Sequence, residues 1–174
     1  MPAWIHPTAL RGSIWLAMLL YTASMTIRLV GPSDANAGRF ALARLIYTLG
    51  LAAFWLHVAA AFHFDHHWSL AIAYSHTAER TAELMGWESG LGLYVNFAFG
   101  LVWTADALSW WLAPERYVAR SRWIEFFVHG IFVFMIANGA IVFGRGPVRA
   151  FGAALLAVLA AVSFVRLRRL RAAA

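Results

Sequence analysis

Five long apolar stretches, separated by short polar segments, dominate this 174-residue sequence. A helix that crosses a bilayer needs roughly 20 mostly apolar residues, since it rises only about 1.5 Å per residue. Hydrophobic residues make up 62% of the chain and charged residues 13%, unlike the composition of a soluble domain. We therefore predict an all-α integral membrane bundle, a single domain over residues 1–174. Its five spans cover residues 13–30, 40–62, 90–112, 123–143 and 148–165.

Helix-breaking residues separate the predicted spans. Gly31-Pro32-Ser33-Asp34 follows the first span, because proline cannot continue a helix and Ser and Asp favour caps. Gly144-Arg145-Gly146-Pro147 predicts a short turn that joins spans four and five as an antiparallel hairpin. The longest connection, residues 63–89, contains a stretch from Ser69 to Met85 that reads as a short helix outside the membrane.

The first span also fits, in part, a cleavable signal peptide. Arg11 precedes an apolar stretch, and the small residues Ala23 and Ser24 follow it. The apolar stretch continues to Ile27, however, and arginines are more numerous after it than before it. These features favour a retained span; cleavage would leave four.

All fourteen basic residues are arginine, and their distribution predicts the orientation of the chain. With five spans, ten arginines fall on one side of the membrane and four on the other. The positive-inside rule places the ten in the cytoplasm of a bacterial-type inner membrane. The N-terminus is then outside, the C-terminus inside, and the 63–89 connection outside.

Composition excludes several classes of mechanism. The chain has no cysteine, which removes disulfides, thiolate ligands and thiol nucleophiles. It has no lysine, which removes Schiff-base chemistry and Walker A phosphate binding. The net charge of +6 does not indicate nucleic acid, because most of the excess flanks apolar spans where it sets topology.

Histidines are concentrated near the outer connection, where five of the seven lie between positions 57 and 76. The histidines that follow the second span lie three and four residues apart and therefore share one helix face. The following helix places one histidine and two glutamates together on one of its faces. Such a set suits Fe, Cu, Zn or Mn. The predicted ligands are His63, His66, His67, His76, Glu79 and Glu83. The competing interpretation is that these groups are solvated or capping residues at helix ends near lipid headgroups.

The run His63-x-x-His66-His67 resembles one histidine box of the membrane fatty-acid desaturases and hydroxylases. The resemblance covers five residues and implies di-iron oxygenation. That family uses several boxes, normally on the cytoplasmic side, whereas this chain has one on the predicted outer side, so we do not assign it to the family. Haem is less favoured than a non-haem metal, because His57 and His129 differ in depth.

Ionisable and amide side chains inside the spans are costly in lipid and are candidate functional groups. Counting from the span ends places His57, Asn96 and Asn138 in one polar layer of the outer half. The same count places Asp106 and His129 at matching depth in the inner half, so we expect them to pair. The pair could belong to a proton or ligand path, or could fix helix register.

Three functional hypotheses follow, and the sequence leaves open whether the protein is an enzyme. The first is a membrane protein that binds a metal at the outer His/Glu cluster, for redox chemistry or metal handling. The second is a structural or accessory subunit of a larger membrane complex. The third is a small transporter or proton-path protein using Asp106 and His129. The expected partners are the lipid bilayer and, for the second hypothesis, other membrane subunits.

Overall fold

The computed structural model describes residues 5–30 and 37–172, with the side chains of residues 5–11 and 170 outside the description. The predicted break at Gly31–Asp34 falls outside the described residues. The described part consists of helices joined by short turns, and it contains no strand. Its elements are α1 (Ile5–Val30), α2 (Ala37–Phe64), α3 (Leu70–Met85), α4 (Leu91–Leu112), α5 (Pro114–Val118), α6 (Arg122–Ile136), a π-helix (Ala137–Val142) and α7 (Pro147–Ala172).

Five segments of the described chain are long and apolar enough to cross a membrane. They begin and end within a few residues of the predicted spans, which confirms the all-α membrane bundle. The segments are Gly12–Val30, Ala37–Phe64, Leu91–Leu112, Arg122–Val142 and Pro147–Arg169. The fourth segment consists of α6 followed by the π-helix. The sequence predicts one regular helix over this span, whereas the structure changes from α to π winding near one end of it.

The spans pack as a closed ring. Helix α1 packs against α2 and α7, α2 against α4, α4 against α6, and the π-helix against α7. Helix α3 packs on α4 at one end of this ring, which we call the α3 end. The opposite end carries α5 and most of the arginines, and we call it the basic end.

The short helix α3 confirms the helix predicted between Ser69 and Met85. The Ser69 hydroxyl caps it by accepting from the backbone N–H of Ile72. Gly86 ends it in the left-handed conformation (φ 77°), as is usual for a helix C-cap. The turn before it places His67 and Trp68 at positive φ (48° and 60°), uncommon for residues with a side chain.

An aromatic layer crosses the middle of the bundle. Its five side chains are each at most 3% exposed, and we call them the aromatic floor: Tyr21, Phe54, Phe99, Trp103 and Phe132. Tyr21 and Phe132 stack with their centroids 3.8 Å apart, and Trp103 meets Phe132 edge-on at 4.7 Å. A glycine on each neighbouring helix makes room for these rings: a Cβ on Gly50 would lie 3.1 Å from Trp103, and one on Gly100 would lie 2.7 Å from Phe54.

Candidate functional site

A cavity of about 410 Å³ lies between the spans at the α3 end. Helices α1, α2, α4 and α7, the end of α6 and the π-helix contribute to its wall, together with Thr77 of α3. Most of the wall is apolar, including Trp15, Met18, Phe151 and Leu155. Phe54 belongs both to this wall and to the aromatic floor, so the floor forms the deep end of the cavity.

Three polar side chains besides Thr77 reach the cavity: His57, His66 and Asn96. His57 Nδ1 forms a hydrogen bond of 3.2 Å with the Ser13 hydroxyl, which fixes its ring against α1. His66 Nδ1 is buried and has no hydrogen-bond partner among the described residues. A buried unpaired nitrogen is costly, and protein atoms enclose this one, so it does not itself face the cavity.

The sequence predicts a polar layer of His57, Asn96 and Asn138, and two of the three line this cavity. Asn138 is not among the lining residues, although its neighbours Gly139 and Ala140 are. Asn138 lies in the π-helix, where its backbone carbonyl accepts from the N–H of Phe143.

The π-helix is held against α7 by close backbone packing. A Cβ on Gly152 of α7 would overlap the Cβ of Ala140. Glycine at this position therefore lets α7 lie directly on the π-helix, as small residues do in membrane helix contacts. Isolated π-helical turns are rare and are frequently found at functional sites. Here the turn forms part of the cavity wall.

On the other side of the aromatic floor, Asp106 lies in a buried polar cluster at the basic end. Its side chain is 4% exposed. Oδ2 accepts hydrogen bonds from the Tyr47 hydroxyl (2.9 Å) and the Tyr117 hydroxyl (3.0 Å). Oδ1 pairs with the guanidinium of Arg120, whose side chain is 8% exposed. The carboxylate is therefore neutralised and fully hydrogen-bonded, as a buried charge requires.

The cluster continues from Arg120 to His129 through a second ion pair. Arg120 Nε lies 3.8 Å from Glu125 Oε1, and Glu125 also pairs with Arg28. Arg28 Nη1 lies 3.3 Å from His129 Nε2, and His129 Nδ1 lies 3.1 Å from the Tyr21 hydroxyl. Since an arginine only donates, Nε2 must accept, so Nδ1 carries the proton and donates to Tyr21.

Aromatic rings cover the arginines of this cluster. Tyr117 stacks on Trp110 with centroids 4.7 Å apart and planes 4° from parallel. The Arg120 guanidinium lies 4.0 Å from the Tyr117 centroid, within cation–π range. Burial raises the pKa of the Tyr117 hydroxyl. Burial alone would lower the pKa of Arg120, but its interactions with Tyr117 and Asp106 outweigh this and raise it.

The predicted pairing of Asp106 with His129 is replaced by this longer chain of contacts. Both residues belong to the cluster, but Asp106 bonds Arg120 and two tyrosines, whereas His129 bonds Arg28 and Tyr21. Sequence reasoning missed Arg28, Glu125 and Arg120 because each lies near a span end, where interfacial exposure is the usual expectation. The sequence does place these residues, which carry opposite charges, on segments that meet at one end of the bundle. That pattern could have indicated their pairing.

The structure separates most of the six predicted metal ligands. The rings of His66 and His76 meet edge-on with centroids 5.5 Å apart. His63 contacts Phe64 and Trp68, and Glu83 pairs with Arg80 at 2.5 Å on the surface of α3. Glu79 and His76 line a separate shallow depression with Asp65. Within the described residues, no group of three or more His, Asp or Glu side chains is placed to hold a metal ion.

His66 has a different setting from the other histidines of the 63–89 connection. Burial lowers the pKa of its imidazole below the usual value, and the nearby His76 lowers it further. Both effects favour the uncharged form of the ring. The backbone N–H groups of Asp65 and His66 both donate to the Ala61 carbonyl, so the chain turns at the end of α2 and directs His66 to the cavity.

Comparisons with protein-family models, with curated proteins and with solved structures found no match to this chain. The five-residue resemblance to a desaturase histidine box is thus without support from any family match. The function has to be argued from the cavity and the cluster themselves.

Proposed function

We propose that this protein is a membrane-embedded binding protein for a small lipid-soluble molecule, which it holds in the cavity at the α3 end. The observation that carries this proposal is the cavity itself, about 410 Å³, apolar except for a few convergent polar groups. Ligand sites of small molecules have this size and this character, and they occur between the helices of bundles. We further propose that the α3 end faces the outside of a bacterial-type inner membrane, following the arginine distribution.

Two features of the wall support a binding role. The π-helix contributes Gly139 and Ala140 to the cavity wall, and glycine at position 152 keeps α7 close to it. His57, His66 and Asn96 bring polar side chains to the same space. A π-helical turn is less stable than regular helix, and a role in binding would account for its retention.

The other hypotheses leave the cavity unused. A proton path between the cavity and the cluster of Asp106 would have to pass the aromatic floor, whose five rings pack in contact at the cavity's deep end. A metal site at the α3 end would need ligands beyond His66 and His76. An accessory subunit requires a partner surface, and the large exposed apolar side chains of the described spans suit contact with lipid equally well.

The proposal is tested with Trp15, which lines the cavity and stacks on Phe151. The probes are bromodecane, ω-bromodecanol, ω-bromodecanoate and ω-bromodecyl-trimethylammonium, since bromine quenches indole fluorescence on contact. Binding is measured on purified protein in micelles as saturable quenching that disappears in Trp15→Phe. We expect at least one probe to give such quenching.

A matched pair of glycine substitutions provides the control. Gly139 lines the cavity, and a Cβ there meets no atom within 4 Å. Gly130, on the same span, is equally open but does not line the cavity. Gly139→Leu should fill the cavity and abolish the quenching, whereas Gly130→Leu should leave it unchanged. Absence of saturable Trp15 quenching by every probe, or equal quenching in both glycine variants, would overturn the proposed function.

A further inference from the structure

Arg44 is a cation without a counter-charge at the basic end of the bundle, a feature independent of the cavity. Among the described residues it forms no ion pair, whereas Arg28 and Arg120 are each paired with a carboxylate. Its side chain is half-buried beside α4, where it contacts only a backbone carbonyl and an aromatic ring. A positive charge at the edge of the hydrocarbon region is costly unless an anion or water reaches it.

Two contacts with the last turn of α4 fix the position of the Arg44 guanidinium. Its Nη1 donates to the backbone carbonyl of Trp110 (3.3 Å). In a longer helix this carbonyl would accept from the residue four positions on, but that residue is Pro114, which has no N–H. The guanidinium also lies 3.9 Å from the centroid of the Trp111 ring, within cation–π range. The ring is held in turn, because its N–H donates to the Thr48 hydroxyl (2.9 Å).

One nitrogen of the guanidinium remains open to a ligand. Nε of Arg44 is enclosed by protein, whereas Nη2 makes no hydrogen bond with the described residues and is not enclosed. The surface beside it is apolar on both helices: Leu45, the next residue of α2, is 48% exposed, and Leu108, one turn before Trp111 on α4, is 52% exposed. A polar group can therefore reach Nη2 from the side of the bundle that faces lipid.

The lengths of the helices place this nitrogen near the level of the lipid headgroups. Helix α2 has 28 residues and is about 42 Å long, whereas the hydrocarbon core of a bilayer is about 30 Å thick. Arg44 lies about two turns from the start of α2, and a long arginine side chain extends from such a position toward the headgroups. Trp110 and Trp111, close to the end of α4, are of the residue type that favours this interface.

We propose that Arg44 binds the phosphate of an anionic phospholipid through Nη2, while the acyl chains lie against the exposed leucines of α2 and α4. The hydrogen bond from an arginine to a phosphate oxygen is charge-assisted and therefore strong. The surrounding charge selects for a lipid with a net negative charge. By sequence this end of the chain has ten arginines and four acidic residues, and this excess repels the quaternary ammonium of a zwitterionic lipid.

Native mass spectrometry of the purified full chain in detergent tests this proposal. The chain is titrated with dioleoyl-phosphatidylglycerol, dioleoyl-phosphatidylcholine or dioleoylglycerol, which share the same acyl chains. On wild-type protein, phosphatidylglycerol should bind at least about tenfold more tightly than dioleoylglycerol, the effect of one hydrogen bond to a charged group. Phosphatidylcholine should lie between the two. Equal binding of phosphatidylglycerol and dioleoylglycerol would overturn the proposal, and this comparison requires no variant.

The decisive variant is Arg44→Gln. It should weaken the binding of phosphatidylglycerol about tenfold and leave that of dioleoylglycerol unchanged, a result that misfolding would not give. Arg168→Gln is the matched control, since it removes the same charge from an exposed arginine at the same end, whose guanidinium also lies over an aromatic ring, that of Phe164 (4.8 Å). It should weaken binding by no more than about threefold, because an exposed charge is screened by water and salt.

The remaining outcomes identify what occupies the site. Equal losses in Arg44→Gln and Arg168→Gln would show a diffuse attraction by the whole basic end and would overturn a site at Arg44. Glycerophosphoglycerol, the headgroup without acyl chains, should not displace phosphatidylglycerol when added in large excess. Displacement would overturn the lipid and leave a soluble phosphate compound as the occupant. None of these outcomes depends on whether the cavity binds a ligand.

Discussion

The guanidinium of Arg120 pairs with the carboxylate of Asp106 inside the bundle, although Arg120 lies in the turn between α5 and α6 and Asp106 lies in the middle of span α4. The arginine thus folds back from a span end into the protein. This contact ties the α4–α5–α6 connection to the end of the bundle and begins the chain of ion pairs that reaches α1 through Arg28.

Asp106→Asn should destabilise the protein strongly. The substitution leaves buried Arg120 with only its longer contact to Glu125, which Arg28 shares, and removing one partner of a buried ion pair costs about 3–5 kcal/mol. Glu83→Gln removes the partner of Arg80 in a pair whose side chains are 42% and 58% exposed, so it should cost less than about 1 kcal/mol. Unfolding by sodium dodecyl sulfate in mixed micelles measures both. Equal effects of the two substitutions would show that the Asp106 pair does not stabilise the bundle.

Tyr117→Phe isolates one hydrogen bond of the same cluster. The ring remains stacked on Trp110, and only the hydroxyl that donates to Asp106 is lost. The expected cost is about 1 kcal/mol in the unfolding titration. Tyr94→Phe, at an exposed tyrosine, should have no measurable effect. A cost for Tyr117→Phe as large as that for Asp106→Asn would mean that ring packing, rather than the hydrogen bond, had been disturbed.

Two glycine-to-alanine substitutions should have opposite signs. At Gly100 a Cβ would lie 2.7 Å from Phe54 and 2.8 Å from a ring carbon of Trp55, so Gly100→Ala should destabilise the bundle. At Gly130 nothing lies within 4 Å, so Gly130→Ala should stabilise it by up to about 1 kcal/mol through helix propensity. Thermal unfolding in one detergent compares them. A stabilising Gly100→Ala would contradict the close packing of α2 on α4.

The proposed orientation is testable without background, because the chain has no cysteine. Glu79→Cys lies on exposed α3 at the α3 end, and Arg168→Cys lies on exposed α7 at the basic end. In intact bacterial cells, a membrane-impermeant maleimide should label the first and not the second. Labelling of Arg168→Cys alone would invert the topology and place the cavity on the cytoplasmic side.

The metal hypothesis can be tested by elemental analysis of untagged protein. Zinc sites use three or four protein ligands, whereas among the described residues no three His, Asp or Glu side chains are placed to hold a metal ion. We therefore expect Fe, Cu, Zn and Mn each well below one atom per chain. A stoichiometric metal that is lost in both His66→Ala and His76→Ala would restore the predicted site and require further ligands to join these two.

The spans could be predicted from the sequence because lipid imposes a minimum length and an apolar composition on each of them. Depth counting also brought His57 and Asn96 to one level, since helix rise is constant. Depth does not fix the rotation of a helix about its axis. Asn138 therefore does not line the cavity although Gly139 and Ala140 do, and Asp106 and His129 bond other partners. Arginines have long side chains, so Arg120 reaches a carboxylate that its backbone position does not suggest.

The aromatic floor divides the bundle into two halves that should differ in mobility. Below it, the ion pairs from Asp106 to His129 join four of the five spans and restrain their relative motion. Above it, the cavity leaves the same helices without side-chain contacts across their centre. Regions with few buried contacts open locally at lower free energy, so backbone amides around the π-helix should exchange with deuterium faster than those of α4 near Asp106. Occupancy of the cavity would slow that exchange, making the π-helix a natural place from which to observe binding.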